Sequence, residues 1–259
     1  MESAKSGIKE TEHRTIFHEI LDSKLPPEEK DLSRLATEGI LLVSAGTMTT
    51  TWVITVGLYH LLATPRLLRK LRAELETAIP DPSVTAPLAF LESLPYLKGV
   101  VLESLRLSYG VTNRLARKAH EPMQYTDKST GKTWVIPPYT PTSSISLLLH
   151  SDPSIFPEPK EFRPERWIEN PRLDKYLFAF SRGTRQCVGM TLAYAEIYLM
   201  MAKVFRDFGT KECRLEGDKG VLELFETTQR DIEPVGDYQI PIAYKGSKGV
   251  RIKILKVDA

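Results

Sequence analysis

Ten consecutive residues, Phe180-Ser181-Arg182-Gly183-Thr184-Arg185-Gln186-Cys187-Val188-Gly189, put a thiol on a glycine-punctuated turn just ahead of a stretch with helical periodicity. A helix N-terminus offers unpaired backbone N–H groups and the positive end of the dipole, which favour an anionic sulfur, the form of cysteine that binds metals. Gly183 permits a sharp turn, and Gly189 lets the backbone come close to a flat partner. Phe180 can screen the sulfur from water, and Arg185 presents a cation to an acidic group. An isolated cysteine is most often a small buried hydrophobe, and Cys213, which lacks this setting, keeps that reading. Two cysteines so far apart make neither a disulfide framework nor a zinc knuckle, so reduced thiols are expected.

Two further constellations carry chemistry. Glu103 and Arg106 are three apart on an expected helix and share a face, and Phe162-Arg163-Pro164-Glu165-Arg166-Trp167 supplies Arg166 between that helix and the cysteine turn. On a solvated face such a pair contributes little; buried, a carboxylate between two guanidiniums can be fully hydrogen-bonded. Ala45-Gly46-Thr47-Met48-Thr49-Thr50 sits midway along an expected long helix. There a threonine hydroxyl can bond back to the preceding turn, glycine removes bulk, and together they loosen the helix locally.

Phe-x-x-Gly-x-Arg-x-Cys-x-Gly is the signature of the cytochrome P450 family, and residues 180–189 match each of its fixed positions. The resemblance implies haem b with Cys187 as the axial iron ligand, its seat shaped by Phe180, Gly183 and Gly189, and its propionates met by Arg185 and Arg117. It also makes Glu103, Arg106 and Arg166 a structural triad. Ala45, Gly46 and Thr49 resemble the family's distal motif, Ala/Gly-Gly-x-Asp/Glu-Thr-Thr, in which the Thr49 hydroxyl would pass protons during dioxygen activation. Met48 departs from that motif: a thioether cannot relay protons as a carboxylate does. By the same resemblance Val111, Thr112 and Asn113 line the substrate pocket. The Tyr244 to Lys248 turn either reaches that pocket or is an exposed hairpin, and His150 is read as a packing residue.

The activity implied by the resemblance is that of a monooxygenase oxidising an apolar small molecule, with electrons from NADPH-cytochrome P450 reductase docked near the cysteine turn. The segment Arg106 to Val111 resembles fungal secondary-metabolism members of the trichodiene-oxygenase type, which implies a terpenoid or polyketide metabolite. Two other readings stay open: a haem-binding remnant without turnover, and a haem-thiolate isomerase or dehydratase that needs no external proton relay, for which Met48 is the support. The resemblance runs from about Leu32 to Leu255, whereas family members are typically near twice this length. The expectation is the C-terminal half of the fold, with the membrane anchor and the helices roofing the pocket outside it. The short chain would then be a fragment, a remnant, or a half that depends on another polypeptide. Full-length relatives are anchored in the endoplasmic reticulum facing the cytosol.

The elements that must position these residues can be read from patterning. The fold class implied is mainly α with small β-sheets. The 259 residues carry 35 basic and 33 acidic side chains without a long single-sign run, which points away from nucleic acid and anionic membrane surfaces. Polar, charged residues at the start, Glu2 to Glu12, carry neither a signal peptide nor an anchor pattern. A long helix is expected over about 29–62, spanning on the order of 50 Å at 1.5 Å per residue. Its charge-free run from Gly39 to Leu62 is read as a buried core helix rather than a membrane span, because Ser44 and Thr47 to Thr51 dilute its middle. An amphipathic helix follows over Arg66 to Ala78, then the Glu-x-x-Arg helix over about 95–107. Strands are expected at Trp134 to Ile136 and Thr142 to Leu148, and a proline-rich ordered coil over about 150–175. The helix after the cysteine loop runs to about 208, and two tail strands, Gln239 to Tyr244 and Val250 to Leu255, are expected to flank a Gly-Ser-Lys-Gly turn.

Overall fold

The computed structural model describes residues 13–256, which divide between Met48 and Thr49 into two compact units. In the first, helix α1 (Ile16–Asp22) opens on Thr15, whose amide donates to His18 Nδ1 at 3.1 Å, a reciprocal cap of the first turn. A 3-10 turn at Pro27–Lys30 reverses the chain into helix α2 (Leu32–Ala63). Gly39 admits the Phe17 ring, which lies 3.0 Å from where a Cβ would stand. Beyond that contact the early apolar residues are bare, Ile40 at 70% and Val43 at 69% exposed, with Leu41 and Met48 exposed as well. The expectation of a buried core helix is thus corrected: α2 is long and apolar enough to cross a membrane by length and composition, Leu35 is buried, residues 40–48 are exposed, and burial resumes at Thr50. Absence of charge records what a helix avoids, not what covers it.

In the second unit α2 turns inward, burying Thr50, Val53, Val56, Leu61 and Leu62. Pro65 starts helix α3 (Pro65–Ala78), which sinks Leu67, Leu68, Leu71 and Leu75 into the core. Helix α4 (Leu88–Ser93) leads into helix α5 (Pro95–Ser108), the Glu-x-x-Arg helix, buried on all sides from Gly99 onward. Neighbours approach α5 through glycines: a Cβ at Gly99 would lie 2.6 Å from the Pro164 carbonyl oxygen, and Gly57 of α2 faces Ser104 and Met201 just as closely. After hairpin β1 (Met123–Thr126) and β2 (Thr133–Ile136) come the short helices α6 (Ser146–His150) and α7 (Glu165–Glu169). Helix α8 (Met190–Asp207) follows the cysteine loop.

Two strand expectations change. Thr142 makes a single bridge to Arg117, after which the chain coils into α6, whose last residue, His150, is held by Arg106 of α5 rather than by a sheet. The tail segments do not pair with one another. Strand β3 (Phe208–Gly209) runs parallel to β4 (Gly220–Leu224), which pairs antiparallel with β7 (Ile252–Leu255). Strands β5 (Gly236–Tyr238) and β6 (Ile240–Ile242) form their own hairpin, where Pro241 lacks the donor a central strand would need.

The centre of this unit is the Glu103 carboxylate, fully buried at 0% exposure. It accepts from Arg106 Nε at 2.9 Å and Nη2 at 2.8 Å, and from Arg166 Nε at 3.0 Å. The Trp167 indole N–H at 2.9 Å and the Arg163 amide at 2.9 Å complete the set. Arg106 gives its remaining donors to the carbonyls of His150, Pro159 and Glu161, and Arg166 to those of Pro157, Glu158 and Glu161. The proline-rich coil is ordered for this reason: guanidiniums take up carbonyls that no helix or strand satisfies. The triad expected from Glu103, Arg106 and Arg166 forms as a unit, and Trp167 and the Arg163 amide, not foreseen, finish it.

Glu103→Gln leaves two buried guanidiniums without a counter-charge and is expected to destabilise this unit by about 3–5 kcal/mol, whereas Trp167→Phe, losing one charge-assisted bond, costs about 1.5–3 kcal/mol; chemical denaturation midpoints check the order. Burial pushes both His60, stacked on Phe162, and His150 down to about 4 from an ordinary 6.5. The unfolded chain therefore binds more protons between those values, so stability is intact above pH 6.5, falls as pH drops towards 4, and levels off below. The loss is on the order of 3 kcal/mol per histidine at most, and His150→Gln should flatten its share of the slope.

Candidate functional site

The cysteine loop hangs between the coil and α8 on three backbone hydrogen bonds. Ser181 N–H donates to the Phe178 carbonyl at 3.0 Å, Gln186 N–H to Gly183 at 3.0 Å, and Cys187 N–H to Phe180 at 3.0 Å. Between them lies a 3-10 turn, Gly183–Arg185, with Gly183 at φ 77° and Ser181 at φ 60°. Glycine is cheap in that left-handed region and serine is not, so the neighbouring contacts must hold Ser181 there. Gly189 is the N-cap of α8, and its carbonyl accepts from Ala193 N–H at 2.9 Å. Cys187 thus stands ahead of the first turn of α8, as its residue pattern implied.

Around the sulfur the side chains are exposed. Cys187 is exposed, Val188 beside it is 98% exposed and Leu192 is 61% exposed. A Cβ at Gly183 would meet nothing within 4 Å, and one at Gly189 only the Cys187 Sγ at 3.9 Å. Arg185 projects from the exposed 3-10 turn. Phe180 packs against α8. Its half-buried ring leans on Tyr194 of α8, centroids 5.1 Å apart, while its carbonyl holds the Cys187 amide. The ring thereby ties the loop to the helix that follows. Cys213, by contrast, is buried with its thiol directed to the Pro65 carbonyl at 3.4 Å, the ordinary core cysteine its sequence context implied.

Arg117, more than sixty residues upstream, is brought to the same loop. Its backbone bridges Thr142 through hydrogen bonds of 2.8 and 2.9 Å, and its side chain lines a cavity of about 170 Å³ together with Arg182, Ser181, Ser143, Ser144 and Phe178. Arg182, tethered to the Asp174 carbonyl at 2.9 Å, is the second cation there; it occupies a variable position of the signature, so nothing in the pattern singled it out. An exposed thiol beside the exposed Val188, on a loop whose Ser181 and Arg182 share a cavity with Arg117, suits an apolar macrocycle bearing carboxylates. Haem meets that description.

The remaining expected positions divide. Thr112 is buried, and its hydroxyl donates to Asp237 Oδ1 at 2.8 Å while its amide donates to the Gln239 carbonyl at 3.0 Å. It fastens the β5–β6 hairpin rather than presenting a free hydroxyl to a pocket. The Val111 carbonyl accepts from Ser146 Oγ at 3.1 Å, and the Asn113 Oδ1 is buried without a partner among the described residues. The hairpin that reaches this segment is therefore Gly236 to Ile242, not the Tyr244 to Lys248 turn. Its sequence signal was Asp237, placed two residues before the positive-φ Gln239, whose amide it accepts at 3.0 Å. Along α2, Ala45, Gly46 and Met48 are exposed, Thr49 is half-buried and Thr50 is buried.

Known proteins share this pattern. The Cytochrome P450 family profile matches residues 1–232. Cytochrome P450 monooxygenase astB of Talaromyces wortmannii is 54% identical over 261 residues, covering 98% of this chain and 52% of its own length. Cytochrome P450 monooxygenase tpcC of Cochliobolus heterostrophus is 48% identical over 242 residues, 93% of this chain and 46% of its own. Cytochrome P450 monooxygenase TRI4 of Fusarium sporotrichioides is 38% identical over 266 residues, 98% and 48%. The chain spans about half the length of the curated relatives it matches. A profile match across most of its residues, with relatives 38%, 48% and 54% identical over nearly all of this chain, makes the chain a member of the cytochrome P450 family.

Proposed function

We propose that this chain is the haem-carrying, C-terminal half of a fungal monooxygenase that inserts one atom of dioxygen into an apolar metabolite and reduces the other to water with two electrons from NADPH. The observation that carries the reading is Cys187 itself, an exposed thiol ahead of α8 on a glycine-framed loop whose flanks are apolar and whose edge is cationic. When bound there, haem supplies the binding and activation of dioxygen. Cys187 would hold the iron, Arg185, Arg117 and Arg182 would receive the propionates, and Val188 and Leu192 would lie under the ring and keep water from the sulfur. Electrons would come from NADPH-cytochrome P450 reductase, docked on the side of the cysteine loop. A substrate of terpenoid or polyketide type accords with the fungal secondary-metabolism resemblance. The match to half of each relative, together with the bare apolar residues of α2 between Ile40 and Met48, supports a chain whose counterpart half covers that face.

On this reading Thr49 would hand protons towards bound dioxygen from the middle of α2. Met48 next to it cannot feed that hydroxyl, so the relay must use another group or water. Its presence also favours a second reading, an isomerase or dehydratase that draws no electrons from a reductase.

Cys187→Ser is expected to abolish the thiolate signature in the carbon monoxide difference spectrum of the reduced, haem-loaded chain; an unchanged spectrum sinks the assignment. With reductase and candidate terpenes, the monooxygenase reading expects substrate-dependent NADPH consumption matched to hydroxylated product. Rearranged product without consumption supports the second reading instead. Met48→Glu restores a carboxylate beside Thr49, and it should raise the ratio of product to NADPH consumed by several-fold.

A further inference from the structure

His150 ends α6 with 0% exposure and touches both the Glu-Arg-Arg brace and the segment that leads into the cysteine loop. Its Nδ1 lies 2.8 Å from the Arg106 carbonyl, and its Nε2 lies 2.8 Å from the backbone N–H of Phe178. An amide N–H can only donate, so Nε2 must be the unprotonated acceptor, and the ring proton sits on Nδ1, donating to Arg106. The ring is therefore neutral and of one tautomer, fixed by two backbone groups of opposite character. Its own carbonyl accepts from Arg106 Nη1 at 2.9 Å, so the residue is gripped twice by the Glu-x-x-Arg helix. Tyr109 stacks on one side of the imidazole and Phe156 meets it edge-on, which leaves no room for the ring to rotate.

On the far side of Nε2 begins the cysteine loop. Phe178 N–H is held by the imidazole, the Phe178 carbonyl holds Ser181 N–H, and the Phe180 carbonyl holds Cys187 N–H. Ala179, between them, rests its carbonyl against Gly110, where a Cβ would lie under 3.0 Å away and where φ is 60°. The loop is thus located from the α5 side by one directional bond and one close backbone contact.

We propose that His150 is a positioning residue through which the buried Glu103 brace sets the placement of the Cys187 loop, and hence of the sulfur, by holding the Phe178 amide with Nε2. The inference deepens the haem-thiolate reading and rests on it for its consequence at the sulfur, but the bond itself belongs to the chain alone. Burial keeps the imidazole neutral at pH 7, with Arg106 the nearest cation and Glu103 the nearest anion. Protonation would set a second donor against the Phe178 amide and break the link.

The test uses the 259-residue chain labelled with nitrogen-15. In the haem-free wild type, ring nitrogen shifts are expected to show His150 neutral with its proton on Nδ1 at pH 7, and the Phe178 amide to exchange slowly. A ring protonated on Nε2, or doubly protonated, overturns the proposal without any variant. His150→Gln places a terminal acceptor where Nε2 stands, whereas His150→Asn reaches only the Nδ1 position. Gln is expected to keep slow Phe178 exchange and a wild-type proportion of thiolate-ligated haem, while Asn speeds that exchange at least tenfold and shifts haem away from thiolate ligation at unchanged haem uptake. Two folded variants that behave alike sink the proposal, and if neither folds, a fast-exchanging wild-type Phe178 amide sinks it. A slow Phe178 amide in a chain that never shows thiolate ligation leaves the positioning role standing and removes the haem-thiolate reading instead.

Discussion

A carboxylate taken wholly out of water must find hydrogen-bond donors for every lone pair and a counter-charge for its formal charge, and Glu103 imposes that requirement on the unit around it. Two guanidiniums, an indole and an amide converge on it from α5, from α7 and from the coil just before α7. Each guanidinium brings further donors, and these consume the carbonyls of the proline-rich segment that precedes α7. A stretch that makes almost no regular structure is thereby held as firmly as a helix. The cost of breaking the network falls on stability first, and on the cysteine loop through what the network supports.

Support reaches the loop from several directions. Helix α8 carries Cys187 ahead of its N-terminus, and its C-terminal end is pinned by Arg72 of α3. That buried guanidinium donates to the carbonyls of Phe205 and Phe208 and pairs with Asp218 at 2.5 Å. Phe180 and Tyr194 clamp the loop to the first turns of the same helix. His150 and Gly110 locate it from the α5 side. The loop itself contributes few contacts, so its precision is borrowed from α5, α6 and α8. Such borrowing lets a sulfur remain exposed to a ligand while its backbone stays fixed.

Two groups among the exposed apolar side chains bear on the site and on the long helix. Val188 and Leu192 flank the cysteine, and Ile40, Leu41 and Val43 line the early part of α2. On the proposed reading a bound haem would cover the first group. The second shows that one helix can belong to a core at one end and present an uncovered face at the other, a distinction that turns on tertiary neighbours alone.

How much of this was legible beforehand depended on whether a residue's role is local. The cysteine signature is local: turn glycines, a thiol and a helix start lie within ten residues, and the structure has the turn at Gly183 and the helix start after Gly189. The proline-led starts of α3 at Pro65 and α5 at Pro95 are local in the same way, since proline acts through its own φ and missing donor. Long-range geometry was not. That Trp167 would bond Glu103, that Arg182 would share a cavity with Arg117, and that Thr112 would spend its hydroxyl on Asp237 are matters of which distant segments meet. Thr142 to Leu148 has strand-like composition but no strand to pair with, and its end becomes helix because α5 receives His150 there. Sequence alone determined the ligand loop, the residues of the brace and the helical class; tertiary structure decided which buried donors complete the brace, how far α2 is core, and that an imidazole joins brace to loop. Chemistry that sits within one turn is written in consecutive residues, whereas burial and hydrogen-bond partnership depend on the whole chain's path.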